Sequence, residues 1–210
     1  YSGTISTGVT FVYETYSKKL TISGNGQIPN LNFQSYPYHN YRSSIRTVII
    51  NSGVTSIGSD AFCNCYNLRS VSIGSSVTYI GSFCFSQCKS IESLTIPNSV
   101  TVIEQNAFYS CKSLKSIKLS ENLKYLGYEC FSSCSALSSL TLPKSLESFD
   151  DKYFDLDVII DNIYVDQQNP YLKSIDGVVF TKKESKLINY PIGRDNETYI
   201  IPEDTTSIGS

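Results

Sequence analysis

The chain has 210 residues, 40% of them hydrophobic, with sixteen Tyr and ten Phe but no Met or Trp, and a formal net charge of −2. That is apolar enough for a packed core, which excludes wholesale disorder, while the lack of a long basic run leaves phosphate neutralisation without a footprint, so no nucleic-acid partner is expected. No apolar stretch approaches the roughly 20 residues that span a bilayer, so no membrane insertion is expected of this segment, and its opening on Tyr1 fits a processed or trimmed polypeptide, so that any signal peptide or anchor would lie outside it.

Residues 8–26, GVTFVYETYSKKLTISGNG, alternate apolar and polar side chains on either side of TYSK, which predicts two strands. An irregular aromatic stretch, NFQSYPYHNY, follows at 32–41. Residues 1–44 are expected to form an N-terminal β-hairpin cap, because a stacked array exposes an apolar face at its first repeat that must be covered.

From Ile45 the chain is periodic: IRTVIINSGVTSIGSDAFCNCYN, LRSVSIGSSVTYIGSFCFSQCKS, IESLTIPNSVTVIEQNAFYSCKS, LKSIKLSENLKYLGYECFSSCSA and LSSLTLPKSLESFDDKYFDLDVI, five ungapped units of 23 residues ending at Ile159. Apolar residues recur at six columns of the unit, as in Leu68, Val71, Ile73, Val77, Ile80 and Phe85. The fourth and sixth columns flank a polar residue, the alternation of a short half-buried strand. No unit can bury its own apolar edge, so the units must stack as a parallel β solenoid. Phe62, Phe85, Phe108, Phe131 and Phe154 would then form an interior spine beside a column of small residues, Ala61, Cys84, Ala107 and Cys130. The fifth unit degenerates, with Tyr153 in the small column and Asp150, Asp151, Asp155 and Asp157 around it.

Residues 160–197 read as a strand, 159–165, and an inserted hairpin built from GVVFTKKESKLINYP around a polar turn. The period resumes in TYIIPEDTTSIGS at 198–210, the start of a further repeat expected to continue beyond Ser210.

Seven cysteines invite a redox or metal reading. Cys65, Cys88, Cys111 and Cys134 share the twenty-first column, which puts their backbones about 5 Å apart in a ladder. Buried thiols packing as small apolar groups are expected; cross-column disulfides such as Cys84–Cys88 or Cys130–Cys134 are the alternative. No metal is expected, since there is no C-x-x-C and the only histidine is His39. His39, in YPYHNYR, lacks a nucleophile motif and is read as cap packing; the four Asp residues lack an EF-hand's glycine and closing glutamate. No Gly-rich nucleotide loop is present, so no cofactor is expected. Asn196 opens an Asn-Glu-Thr sequon, an N-glycosylation acceptor in a secreted eukaryotic protein.

Candidate partner-binding residues lie between the apolar columns. Ser70, Ser93, Ser116 and Ser139 follow Thr47 in one outward row, and Ser72, Thr95, Lys118 and Thr141 follow Ile49 in the next. Such rows suit a polypeptide or glycan. Tyr79 and Tyr125, on the second extended piece of their units, either offer aromatic contacts or cover the sheet edge.

The unit LTIPNSVTVIEQNAFYSCKSL, with its short strand, IP, and V-x-x-I-x-x-x-A-F-x-x-C-x-x-L, resembles the BspA-like leucine-rich repeat family. The opening GVTFVYETYSKKLTISGNGQIP resembles that family's N-terminal cap, and NPYLKSIDGVVFTKKESKLINYPIG followed by YIIP resembles its interruption. Departures are Phe11 where caps often carry Trp, KYFDLD in the fifth repeat, and Thr205 in an aliphatic column. The resemblance implies a cell-surface or secreted, non-enzymatic adhesin that recognises host matrix, host cells or other microbes. An intracellular, cytoplasmic scaffold is the alternative, since unpaired thiols suit a reducing compartment.

Overall fold

The computed structural model describes residues 1–147, 160–183, 185–194 and 198–209. Strands β1 (Ser2–Ser6), β2 (Val9–Glu14) and β3 (Lys19–Gly24) form an antiparallel unit with Phe11 opposite Ile22 and Tyr13 opposite Leu20. Every second residue of β2 is buried, as its alternating sequence dictates. The two strands around TYSK are present; β1, whose run contains Gly3 and two serines, carries no comparable sequence signal.

β3 also belongs to the coil. It pairs in parallel with β5 (Thr47–Ile50), placing Leu20 beside Val48 and Ile22 beside Ile50, and β5 pairs in parallel with β7 (Ser70–Ile73). The second extended pieces, β4 (Gly26–Gln27), β6 (Val54–Ile57), β8 (Tyr79–Ile80), β10 (Val102–Ile103) and β12 (Tyr125–Leu126), form another all-parallel sheet in that order. The strand face continues through β9 (Ser93–Thr95) with β11 (Ser116–Lys118), and β13 (Ser139–Leu142) with β14 (Asn162–Val165). This is the expected β solenoid, its turns about 23 residues apart.

A third ladder runs through the turns. Phe62 N donates to Cys84 O (2.8 Å), Phe85 N to Ala107 O (2.8 Å) and Phe108 N to Cys130 O (3.0 Å). Each of these turns needs two residues with left-handed backbone, at the sixteenth and twentieth columns: Asp60 and Asn64, Phe83 and Gln87, Asn106 and Ser110, Glu129 and Ser133. Where the fourteenth column crosses its neighbour, a Cβ on Gly81 would lie 2.5 Å from Ser59 N, so the backbones touch there without a side chain between them.

The sheets and turns enclose one elongated core. Phe62, Phe85, Phe108 and Phe131 stack with centroids 5.3, 5.6 and 5.6 Å apart. Tyr38, 6.1 Å from Phe62, carries the spine into the cap, where Phe11 meets it edge-on at 5.6 Å. Phe154, Tyr153, Asp150, Asp151, Asp155, Asp157 and Asn196 lie outside the described residues.

The insertion contains β15 (Leu172–Ile175), β16 (Val178–Thr181) and β17 (Lys186–Asn189), each antiparallel to the next, and β18 (Ser207–Ile208), from the segment after it, joins in parallel to β17. The expected hairpin is β16–β17, with Val178, Phe180 and Leu187 in its own small core. TYII does not form the expected strand: residues 198–201 are irregular, and Ile200 is 90% exposed. Thr198, Tyr199 and Ile200 line an open cavity with Asn162 and Tyr164, and they join no ladder among the described residues.

Asn169 ties the insertion to the fifth repeat. It is fully buried; its amide nitrogen donates to Pro143 O and Leu146 O (both 3.0 Å), and its amide oxygen accepts from Tyr171 N and Leu172 N (both 2.9 Å).

Candidate functional site

Because the strand period is two, every residue between the apolar columns of the first sheet faces outward. Register places Thr47 beside Ser70 and Ile49 beside Ser72, then Ser93 beside Ser116 and Thr95 beside Lys118, then Ser139 beside Asn162 and Thr141 beside Tyr164. Ser70, Ser72, Ser93, Thr95, Ser116, Lys118, Ser139 and Thr141 are all exposed.

The hydroxyls of the two sheets differ in their commitments. On the second sheet Thr55 Oγ1 donates to Gly26 O, Thr78 Oγ1 to Thr55 O and Thr101 Oγ1 to Thr78 O, at 3.1, 3.2 and 3.3 Å. The seven hydroxyls of the strand-face candidates make no such bond among the described residues, so their hydrogen-bonding capacity faces solvent. Thr141 opens, with Glu121, Lys144, Asp166 and Gln168, into a cavity of about 470 Å³. Beyond it Tyr164, 49% exposed, borders a second cavity of about 730 Å³ with Asn162, Ser174, Asp176, Arg194 and Tyr199. The sequence reading missed this end, because its lining comes from elements that do not repeat.

Tyr79 and Tyr125 are not brought together with those rows. They stand on the second sheet, either side of Val102. Tyr79 is half-buried, and desolvation first and the Glu104 carboxylate second hold its phenol above the usual range. Tyr125 is 42% exposed.

All seven cysteines are free and buried. In the twenty-first column Cys88, Cys111 and Cys134 donate their Sγ–H to the carbonyls of Phe62, Phe85 and Phe108 at 3.3, 3.2 and 3.1 Å. The thiols therefore bridge adjacent turns as well as fill space. Burial pushes Cys63 up to about 11 and Cys65 to about 12, and holds Cys84, Cys88, Cys111 and Cys130 well above the ordinary thiol value. Such thiols are poor nucleophiles at neutral pH. No group of three or more metal-binding side chains converges among the described residues. His39 opens a short 3-10 turn in the cap, its Nδ1 3.2 Å from Tyr36 O.

Among the described residues no helix is long and apolar enough to cross a membrane. A family profile described as a BspA type leucine-rich repeat region matches in six copies over residues 32–159. No curated protein matches the chain. Solved structures similar to it include a leucine-rich repeat protein from Eubacterium ventriosum, at 21% identity and TM-score 0.73 over 99% of this chain and 55% of that one. Another is the pneumococcal vaccine antigen PcpA, at 21% identity and TM-score 0.74 over 100% of this chain and 61% of that one. A leucine-rich cell surface protein from Faecalibacterium prausnitzii matches at 22% identity and TM-score 0.61 over 100% of this chain and 73% of that one. At these identities the likeness shows the fold, and the chain spans less than two thirds of the first two proteins.

Proposed function

Because the chain belongs to the BspA-type leucine-rich repeat family, we propose that it is a non-catalytic binding module of a cell-surface or secreted protein, an adhesin that recognises a protein or glycan on host matrix, host cells or other microbes. The observation that carries this reading is the contrast between the two sheets: hydroxyls bonded to backbone on one, and uncommitted, exposed rows on the other. Repeated side chains at a strand spacing of about 4.8 Å match an extended polymer better than a small molecule. The descriptions of the similar proteins as a vaccine antigen and a cell surface protein support the location.

The test is a binding screen of the intact chain against matrix proteins, mucin glycans and whole cells, repeated with Ser72→Gln, Thr95→Gln and Lys118→Gln combined. Binding that falls at least tenfold with unchanged thermal stability supports the face; unchanged binding removes it. A second reading, an intracellular scaffold, draws on the seven free thiols. Cysteines found oxidised in the native protein would exclude it.

A further inference from the structure

We propose that one edge of the strand face is a binding strip for a linear, acidic polysaccharide. The inference rests on the binding reading above and supplies it with a ligand class and a separate surface. The sequence has no basic run, yet the coil assembles one. Arg46 N donates to Lys18 O and Arg69 N to Arg46 O, both at 2.8 Å, so three cations occupy three successive rungs where the turn enters the strand. The same column continues through Glu92 and Lys115, paired at 2.8 Å, and ends in Ser138 and Asp161. Three residues earlier in the chain, Lys89 and Lys112 occupy the position of Tyr66, and Lys89 Nζ leans over the Tyr66 ring at 5.0 Å from its centroid.

Along this edge, six cations thus face two carboxylates, Glu92 and Asp161, in a chain whose formal net charge is −2. Arg46, Arg69, Lys89 and Lys112 are exposed and Lys18 is half-buried, and none of the five pairs with a carboxylate among the described residues. Like charges on the successive Lys18, Arg46 and Arg69 rungs repel, and a polyanion laid across the rungs would neutralise them and release counterions.

The neighbouring surface selects among polyanions. Ser70, Ser93 and Ser116 run beside the strip with uncommitted hydroxyls, suited to the ring hydroxyls of a glycan. Single-stranded nucleic acid is held by aromatic platforms on which bases stack. On the rungs from Arg46 to Lys115 and the positions of Lys89 and Lys112 beside them, the exposed aromatic ring is that of Tyr66, and Lys89 leans over it.

The test measures binding of the intact chain to immobilised heparin, hyaluronan, neutral dextran and a single-stranded oligonucleotide at low salt, with Arg46→Ser, Arg69→Ser and Lys112→Ser combined as the variant. Heparin binding is expected, steeply weakened by salt, absent for dextran, and lowered roughly tenfold in the variant by the loss of three exposed charge contacts. Thermal unfolding should be unchanged. No heparin binding, an unaffected variant, or an oligonucleotide held as tightly as heparin would overturn the proposal. Cell binding abolished only by the Ser72, Thr95, Lys118 variant would sink the strip and leave the strand-face reading standing.

Discussion

Phe108→Ala should be the most damaging substitution in the array. Its ring is 1% exposed and lies between Phe85 and Phe131, 5.6 Å from each and within 6° of parallel to both. Truncating a buried Phe costs roughly 3–5 kcal/mol. Two stacked partners, each worth about 0.5–1.5 kcal/mol beyond area burial, place this site near the upper end. The turn carrying it is fixed from both sides, by Phe108 N to Cys130 O and by Phe85 N to Ala107 O, so the lining cannot readily collapse into the space. With a urea slope of about 2–3 kcal/mol/M, the midpoint should fall by roughly 1–2 M. The assay is urea unfolding followed by far-UV circular dichroism and tyrosine fluorescence, suited to a chain without Trp. Tyr66→Ala, at a side chain 41% exposed, is the control and should move the midpoint little. If Phe108→Ala costs no more than Tyr66→Ala, the stacked spine is not what holds the turns together.

Raised thiol pKa values link stability to alkaline pH. The folded values, about 11 for Cys63 and about 12 for Cys65, lie above the unfolded value of about 8.5, so their contribution is complete below about pH 8.5 and is lost as pH rises toward 12. The urea midpoint should drop between pH 8 and 11, and a flat profile would contradict the burial account. In the native state all seven thiols should react with a thiol reagent far more slowly than in urea; rapid labelling of Cys111 in the folded protein would restore a reactive role for it. Gly81→Val should lower the midpoint by the equivalent of about 1–3 kcal/mol, because a Cβ there meets Ser59 N at 2.5 Å; a neutral result would mean the turns separate easily. Asn169→Ala should cost about 2–4 kcal/mol, since four hydrogen bonds are lost and buried backbone groups are left unpaired. Hydrogen exchange should then accelerate at Tyr171 and Leu172 first, and unchanged exchange there would refute the tie.

The periodic part of the fold was readable because each column repeats one environment. Phe at the eighteenth position and Cys at the twenty-first recur with the turn, and both stand inside the coil as their spacing requires. What the period does not carry was not readable. β3 and Tyr38 extend the coil into the cap, but Leu20 meets Val48 and Tyr38 meets Phe62 at intervals longer than the 23-residue unit. Asn169 is a single polar residue whose role depends on carbonyls of the preceding turn, and TYII resembles a strand yet pairs with none among the described residues. The outward rows were identified by alternation alone, whereas the contrast in hydroxyl bonding between the sheets needed the geometry. Tyr79 and Tyr125, read from the sequence as lying on the second extended piece, stand on the second sheet.

The buried native thiols make a direct test of the strand face available. Ser93→Cys on that face and Lys124→Cys beside the second sheet, both exposed positions, can each be modified with a bulky maleimide while the native cysteines stay protected. Binding to whole cells or matrix should be abolished by modification at position 93 and preserved after modification at position 124. Binding that survives the first, or is lost only with the second, would contradict the account.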